Sequence, residues 1–217
     1  MSFLKLHSIA IINLLMILNP IKKKLPKDYF KSKDVIQLAQ NILGMIICTN
    51  FNNQFTSGLI VETEAYKGVN DRASHAYKNK HTSRNHSMYL QGGSIYIYKC
   101  YGIHNLFNIV TNDINIPDAV LIRAIQPLKG IDIMKSRTNK MNILDLTSGP
   151  GKLSKALGIS LNENGLLLGT KIWIEQYLPP QKIHILKKTR IGVNYARKDA
   201  KLLRRFYIKN SKYISKK

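Results

Sequence analysis

The segment that most narrows what this chain can fold into is Gly58 to Tyr66, GLIVETEAY. It reads as a strand, and strand side chains alternate between two faces. Ile60, Glu62, Glu64 and Tyr66 therefore point one way, and Leu59, Val61, Thr63 and Ala65 the other. The second set is apolar enough to face a core. The first is a row of acids capped by an aromatic ring, which suits a pocket that binds a flat, electron-poor ring and activates water beside it. Taken alone, a half-buried strand with solvated glutamates is the simpler reading of these nine residues.

The remaining composition bounds the answer. A chain of 217 residues is long enough for one well-packed domain, and nothing in it calls for two. Lys and Arg total 34 against 12 acids, a net charge of +22 that matches a polyanion such as DNA, RNA or an anionic membrane. The abundance of Lys, Ile and Asn is also what an AT-rich coding sequence produces, so part of that charge is compositional. Cys48 and Cys100 lack C-x-x-C spacing, and with no His cluster neither a structural metal nor a disulfide framework is expected. The apolar run Ile9 to Leu18 is interrupted by Asn13 and has no small-residue cleavage site before Pro20. It is too short to span a bilayer and makes a poor signal peptide, so residues 1–24 read as an extension of unknown role.

Ser32 and Asp34 can cap a helix whose apolar positions are Val35, Leu38, Ala39 and Ile42, with Gly44 to end it. Met45 to Tyr66 reads as two strands about the polar turn Asn50 to Gln54. Lys67 to Asn85 is a polar loop containing His75, His81 and Arg84, long enough to be functional. Ser94 to Thr111 reads as a hairpin centred on Tyr101 to Asn105. In the strand Asp118 to Gln126, Leu121, Arg123 and Ile125 share a face, and a buried arginine there should meet a carboxylate or a phosphate. Ser148 to Gly158 leads through Gly and Pro into a short helix whose free amides either hold a phosphate or are simply capped. From Lys182 onward thirteen Lys or Arg residues face the single acid Asp199, interleaved with Tyr195, Phe206, Tyr207 and Tyr213. That pattern suits a nucleic-acid surface, although the aromatics fit core strands equally well.

ETEAY (Glu62 to Tyr66), His75, T-x-R-N (Thr82 to Asn85), the tyrosine-rich run from Tyr98 to Asn108, LIRAIQP (Leu121 to Pro127) and SGPGKL (Ser148 to Leu153) occur in a fixed order. In order and spacing they resemble the alkyladenine (3-methyladenine) DNA glycosylase family, from about Leu25 to about Ile214. The resemblance implies an α+β fold for residues 25–217. This would be a single domain with a curved, mainly antiparallel sheet, flanking helices and a protruding β-hairpin that inserts into DNA. It implies a monofunctional glycosylase without metal or cofactor, a cytoplasmic, nucleoid-associated monomer that removes alkylated or deaminated purines from double-stranded DNA in base excision repair. Residue by residue, Glu64 would be the general base and Arg123 would hold the water and the carboxylate. Tyr66, His75 and Tyr98 would line the pocket of the flipped base. Tyr101 would wedge into the vacated stack, and Asn108 would exclude the 2-amino group of guanine.

The residue types fit that chemistry independently. A base must leave the duplex to be reached, at a cost of a few kcal/mol that an inserted aromatic offsets. A cationic N-alkylpurine gains about 0.5 to 2 kcal/mol from an aromatic cage. Ser83 in place of a common proline, Ile103, His104 and Asn105 at the hairpin tip, and Leu106 depart from the family pattern and bear on substrate range. Two other classes remain open. Glu62 and Glu64, about 6.6 Å apart along a strand, suit the inverting pair of a carbohydrate hydrolase, although the charge argues against a neutral sugar. A non-catalytic nucleic-acid-binding protein explains the basic tail but gives Glu64 and Arg123 no purpose.

Overall fold

The computed structural model describes residues 23–177 and 183–216. Most of the 1–24 extension, and Lys182 and Lys217 of the basic tail, lie outside these residues. Asp34 starts helix α1 (Val35–Asn41) by accepting at Oδ1 from the amides of Ile36 and Gln37, both at 3.0 Å. Gly44, at φ +81°, turns the chain out of it. Strands β2 (Ile46–Phe51) and β3 (Gln54–Lys67) follow, joined by Asn52 and Asn53, whose positive φ values of 51° and 61° suit a two-residue hairpin turn.

The described residues form one α+β domain around a nine-stranded sheet in which every strand pair is antiparallel. Its main order is β1 (Lys23–Lys24), β7 (Ile172–Gln176), β2, β3, β6 (Asp118–Lys129), β5 (His104–Thr111), β4 (Ile95–Cys100). Strand β3 is the spine: β6 runs along one edge, and the other pairs first with β2 and then, at Glu62–Glu64, with β9 (Arg205–Ile208). Strand β8 (Ile185–Lys188) pairs with β9. One sheet face carries Ile95, Ile97, Phe107, Ile109, Val120, Ile122 and Ala65 into the main core, under α1 and α3 (Pro150–Leu157). Helix α2 (Ile131–Thr138) packs against α3.

The β3–β6 register shifts first at Ser57/Gly58, where Leu128 is an extra residue on β6, and then twice around Glu62. Ile60 pairs with Ile125, Glu62 with Ala124 and Thr63 with Ile122, so Val61 is an extra residue on β3 and Arg123 an extra residue on β6. Two bulges therefore sit beside each other and cancel. They correct the sequence expectation for Ile60 and Ile125, and for Leu59 and Val61, which do not join Ala65 in the main core. Ile60 does not share the face of Glu62 and Glu64, and Ile125 does not share that of Leu121 and Arg123; both are fully buried in the main core. Bulges re-aim side chains in this way beside functional sites.

The basic tail also divides differently from its composition. Phe206 and Tyr207 are buried on β9, and Arg190 and Arg205 are buried in ion pairs with Asp71 and Glu62. Among the described residues no helix is long and apolar enough to cross a membrane.

Candidate active site

The sheet face opposite the core forms a cavity of about 270 Å³. Period-two alternation supplies its floor: Tyr96 and Tyr98 from β4, Leu106 and Asn108 from β5, Leu121 and Arg123 from β6, and Tyr66 from β3. His75 and Met88 come from the loop region after β3, and Ile191, Gly192, Val193 and Tyr195 close the other side. The aromatic rings are mutually braced. His75 stands edge-on to Tyr98 at 4.6 Å between centroids, and its Nδ1 lies 2.7 Å from the Tyr96 hydroxyl. Burial, and then the charges of Arg84 and Lys80, push the His75 pKa down to about 4, so the ring is neutral at physiological pH.

Glu64 lies immediately behind this wall and is fully buried. Its Oε2 accepts from the Tyr66 hydroxyl at 2.7 Å and pairs with Arg123 Nη1 at 3.2 Å, while Oε1 accepts from the amide of Ile191 at 2.8 Å. All three donors belong to residues that line the cavity. Burial, and then the Glu64 charge, raises the Tyr66 pKa well above its ordinary value, so the phenol keeps its proton and donates it. Burial works against the charge on Arg123, but Glu64 and Glu62 outweigh it and hold that pKa up. The expectation that Arg123 meets an anion is thus met twice.

Glu62 is equally buried but differently used. Its Oε1 takes Arg123 Nε at 3.2 Å, Arg205 Nη1 at 3.0 Å and Ser215 Oγ at 2.9 Å, and its Oε2 takes the Ser215 amide at 2.6 Å. A carboxylate so occupied is a tether for the C-terminal segment and has no free face to serve as the second acid of an inverting pair.

Tyr101 stands at the β4–β5 turn, 90% exposed and at φ 51°, with Gly102 next to it at φ 73°. It lies at the rim of the same cavity, as does Pro150 from the first turn of α3. Asn108 is buried, and its Nδ2 donates to the carbonyls of Tyr96 at 3.1 Å and Leu106 at 3.2 Å, which fixes the carboxamide in the floor.

The family model for methylpurine-DNA glycosylase matches residues 29–212. This chain belongs to that family. Among curated relatives, proteins provisionally assigned as 3-methyladenine DNA glycosylases in Chlamydia abortus and Clostridium novyi are 45% and 41% identical to it. The alignments cover 86% and 90% of this chain and 100% of each relative. A third, from Chlamydia pneumoniae, is 48% identical over 79% of this chain and 88% of its own length.

In this methylpurine-DNA glycosylase family member, sequence reasoning placed seven residues in the site, and six of them line the cavity. The seventh, Glu64, sits one layer behind. Several residues were missed. Tyr96 was detectable, because it alternates with Tyr98 in SIYIY. Ile191 and Asp71 carried no signal: one contributes a backbone amide, and the other is a lone acid in a polar loop that pairs with Arg190 across 119 residues. Burial opposes ionisation of Asp71, but its bonds to Arg190 and the Arg190 charge prevail and hold its pKa below the ordinary carboxylate value.

Proposed function

We propose that this chain is a monofunctional DNA glycosylase that flips alkylated or deaminated purines out of duplex DNA and hydrolyses their N-glycosidic bond. The observation that carries the reading is Glu64 held by Tyr66, Arg123 and Ile191 directly behind an aromatic cavity with the exposed Tyr101 at its rim. Extruding a purine costs a few kcal/mol. Tyr101 offsets that by filling the gap in the stack, while the base enters between Tyr66, Tyr98 and His75. A neutral His75 does not repel a cationic alkylpurine, and the tyrosine faces attract it.

The reaction breaks the bond between the sugar C1′ and the purine nitrogen, whose electrons leave with the base, and forms a bond from C1′ to a water oxygen. Glu64 accepts the proton of that water. About four lone-pair directions serve a carboxylate, and hydrogen bonds from Tyr66 and Ile191 take two, with Arg123 paired beside them, so acceptor capacity remains for a water. Because Glu64 is sealed from solvent, the water enters past Arg123 and Tyr66 as the substrate seats. The developing positive charge on the sugar lies over the same carboxylate.

We further propose that the protein acts as a cytoplasmic, nucleoid-associated monomer with residues 25–217 as the glycosylase domain; the family match over residues 29–212 supports the domain reading, and a duplex DNA substrate supports the location. Incubation with alkylated duplex DNA and assay of released purine tests the reading. Purine release by the parent and its loss in Glu64→Gln are expected. Duplex binding without release would favour a non-catalytic nucleic-acid-binding protein.

A further inference from the structure

We propose that the buried Asp71–Arg190 ion pair is a positioning device for the Glu64 carboxylate, acting through the backbone N–H of Ile191. The proposal rests on the glycosylase reading of the cavity. Residues 189–193 lie beyond the end of β8 and belong to no strand, yet they supply the amide that holds Glu64 Oε1 at 2.8 Å and three residues of the cavity wall. Arg190 pins that segment. Its Nη1 and Nη2 engage the two oxygens of Asp71, Nη2 at 2.8 Å; Nη1 also donates to the Ala65 carbonyl at 2.9 Å and Nη2 to that of Asp199 at 3.2 Å. The guanidinium lies 4.8 Å from the centroid of Tyr66, whose hydroxyl holds the other oxygen of Glu64.

Asp71 in turn accepts from Arg204 Nη1 at 3.0 Å and from the amide of Ala73 at 3.0 Å, joining the loop that bears His75 to the segment that bears Ile191. Both Asp71 and Arg190 have 0% exposed side chains. Such pairs contribute little net stability compared with apolar packing, and Arg190 Nε is buried without a partner among the described residues. The arrangement favours orientation over satisfaction. Orientation is what a base requires, since misplacement by about 1 Å costs roughly 10²-fold in rate.

The test is Asp71→Asn, made in the parent and in Glu64→Gln, with single-turnover excision of an alkylated purine followed at saturating enzyme. In the parent background the rate should fall roughly tenfold or more, within the about 10² to 10⁴ that a general base supplies. In the Glu64→Gln background it should fall no further, because the device acts through a group already removed. Affinity for undamaged duplex should stay within about twofold of the parent. A parent-like rate in Asp71→Asn, or the same fold loss in both backgrounds, overturns the proposal. If Asp71→Asn does not fold, Arg190→Lys, which keeps the charge but loses the fork, is read by the same criteria. Absence of purine release by the parent would instead overturn the glycosylase reading.

Discussion

Glu62 and Glu64 hold the same guanidinium through different nitrogens, Arg123 Nε at 3.2 Å from Glu62 and Nη1 at 3.2 Å from Glu64. The two carboxylates are nonetheless unequal, because Glu62 also bonds Arg205 and Ser215, while the other partners of Glu64, Tyr66 and Ile191, line the cavity. Glu64→Gln should lower single-turnover excision by about 10² to 10⁴. Glu62→Gln should act mainly on stability. Leaving buried arginines uncompensated costs about 3 to 5 kcal/mol, on the order of 10 °C in melting temperature for a chain of this size. Its excision rate per folded molecule should stay within about tenfold of the parent. Equal catalytic losses in the two variants would restore the two-carboxylate mechanism.

Tyr101→Ala removes a side chain that packs on little of the fold, being 90% exposed, so its melting temperature should match the parent's. Excision from paired duplex should drop by an amount equivalent to about 1 to 3 kcal/mol of stacking. The deficit should narrow when the target base is mispaired, since less flipping work is then required. Equal deficits on paired and mispaired substrates would remove Tyr101 from the wedge role.

Asn108 cannot swing out of the cavity floor, because its amide nitrogen is held by two backbone carbonyls. We propose that it excludes a guanine 2-amino group by steric conflict, which a smaller side chain should relax. Asn108→Ser should raise excision of mispaired guanine relative to hypoxanthine in otherwise identical duplexes. An unchanged ratio would move discrimination to Leu106 or Leu121.

His75 gives stability a pH dependence with a definite sign. Its folded pKa of about 4 lies below the ordinary 6.5, so the unfolded chain takes up the proton first as the pH falls. The contribution is full above about pH 6.5 and is lost progressively down to about pH 4, reaching at most about 3 kcal/mol. Urea unfolding at pH 7 and pH 4.5 should show a larger loss for the parent than for His75→Asn. The same loss in both would assign the acid sensitivity elsewhere.

How much of this was legible follows from the range of the interactions. Strand alternation is local, so Thr63 and Ala65 on the core face, Tyr98 and Asn108 on the cavity face, and Asp34 as a cap could all be read from neighbouring residues. Ile60 and Ile125 could not, because a bulge is a relationship between two strands and leaves no mark on either sequence. The charge of Arg123 announced that a partner must exist, but not that Glu62 and Glu64 would share it. The tail was the least legible: Arg190, Arg204 and Arg205 look like nucleic-acid contacts by composition and serve instead as counter-ions of Asp71 and Glu62.

The bonds from Ile191 to Glu64 and from Ser215 to Glu62 span 127 and 153 residues. Synthesis at about 5 to 20 residues per second separates the second pair by on the order of 10 to 30 s. During that interval the ETEAY segment exists without the chain that seals it, its acids hydrated and Arg123 short of its last partner. Assembly of the site is thus a late event: the strands that shape the cavity can pair first, but the carboxylate is enclosed only after the segment from Arg190 to Ser215 has returned to β3.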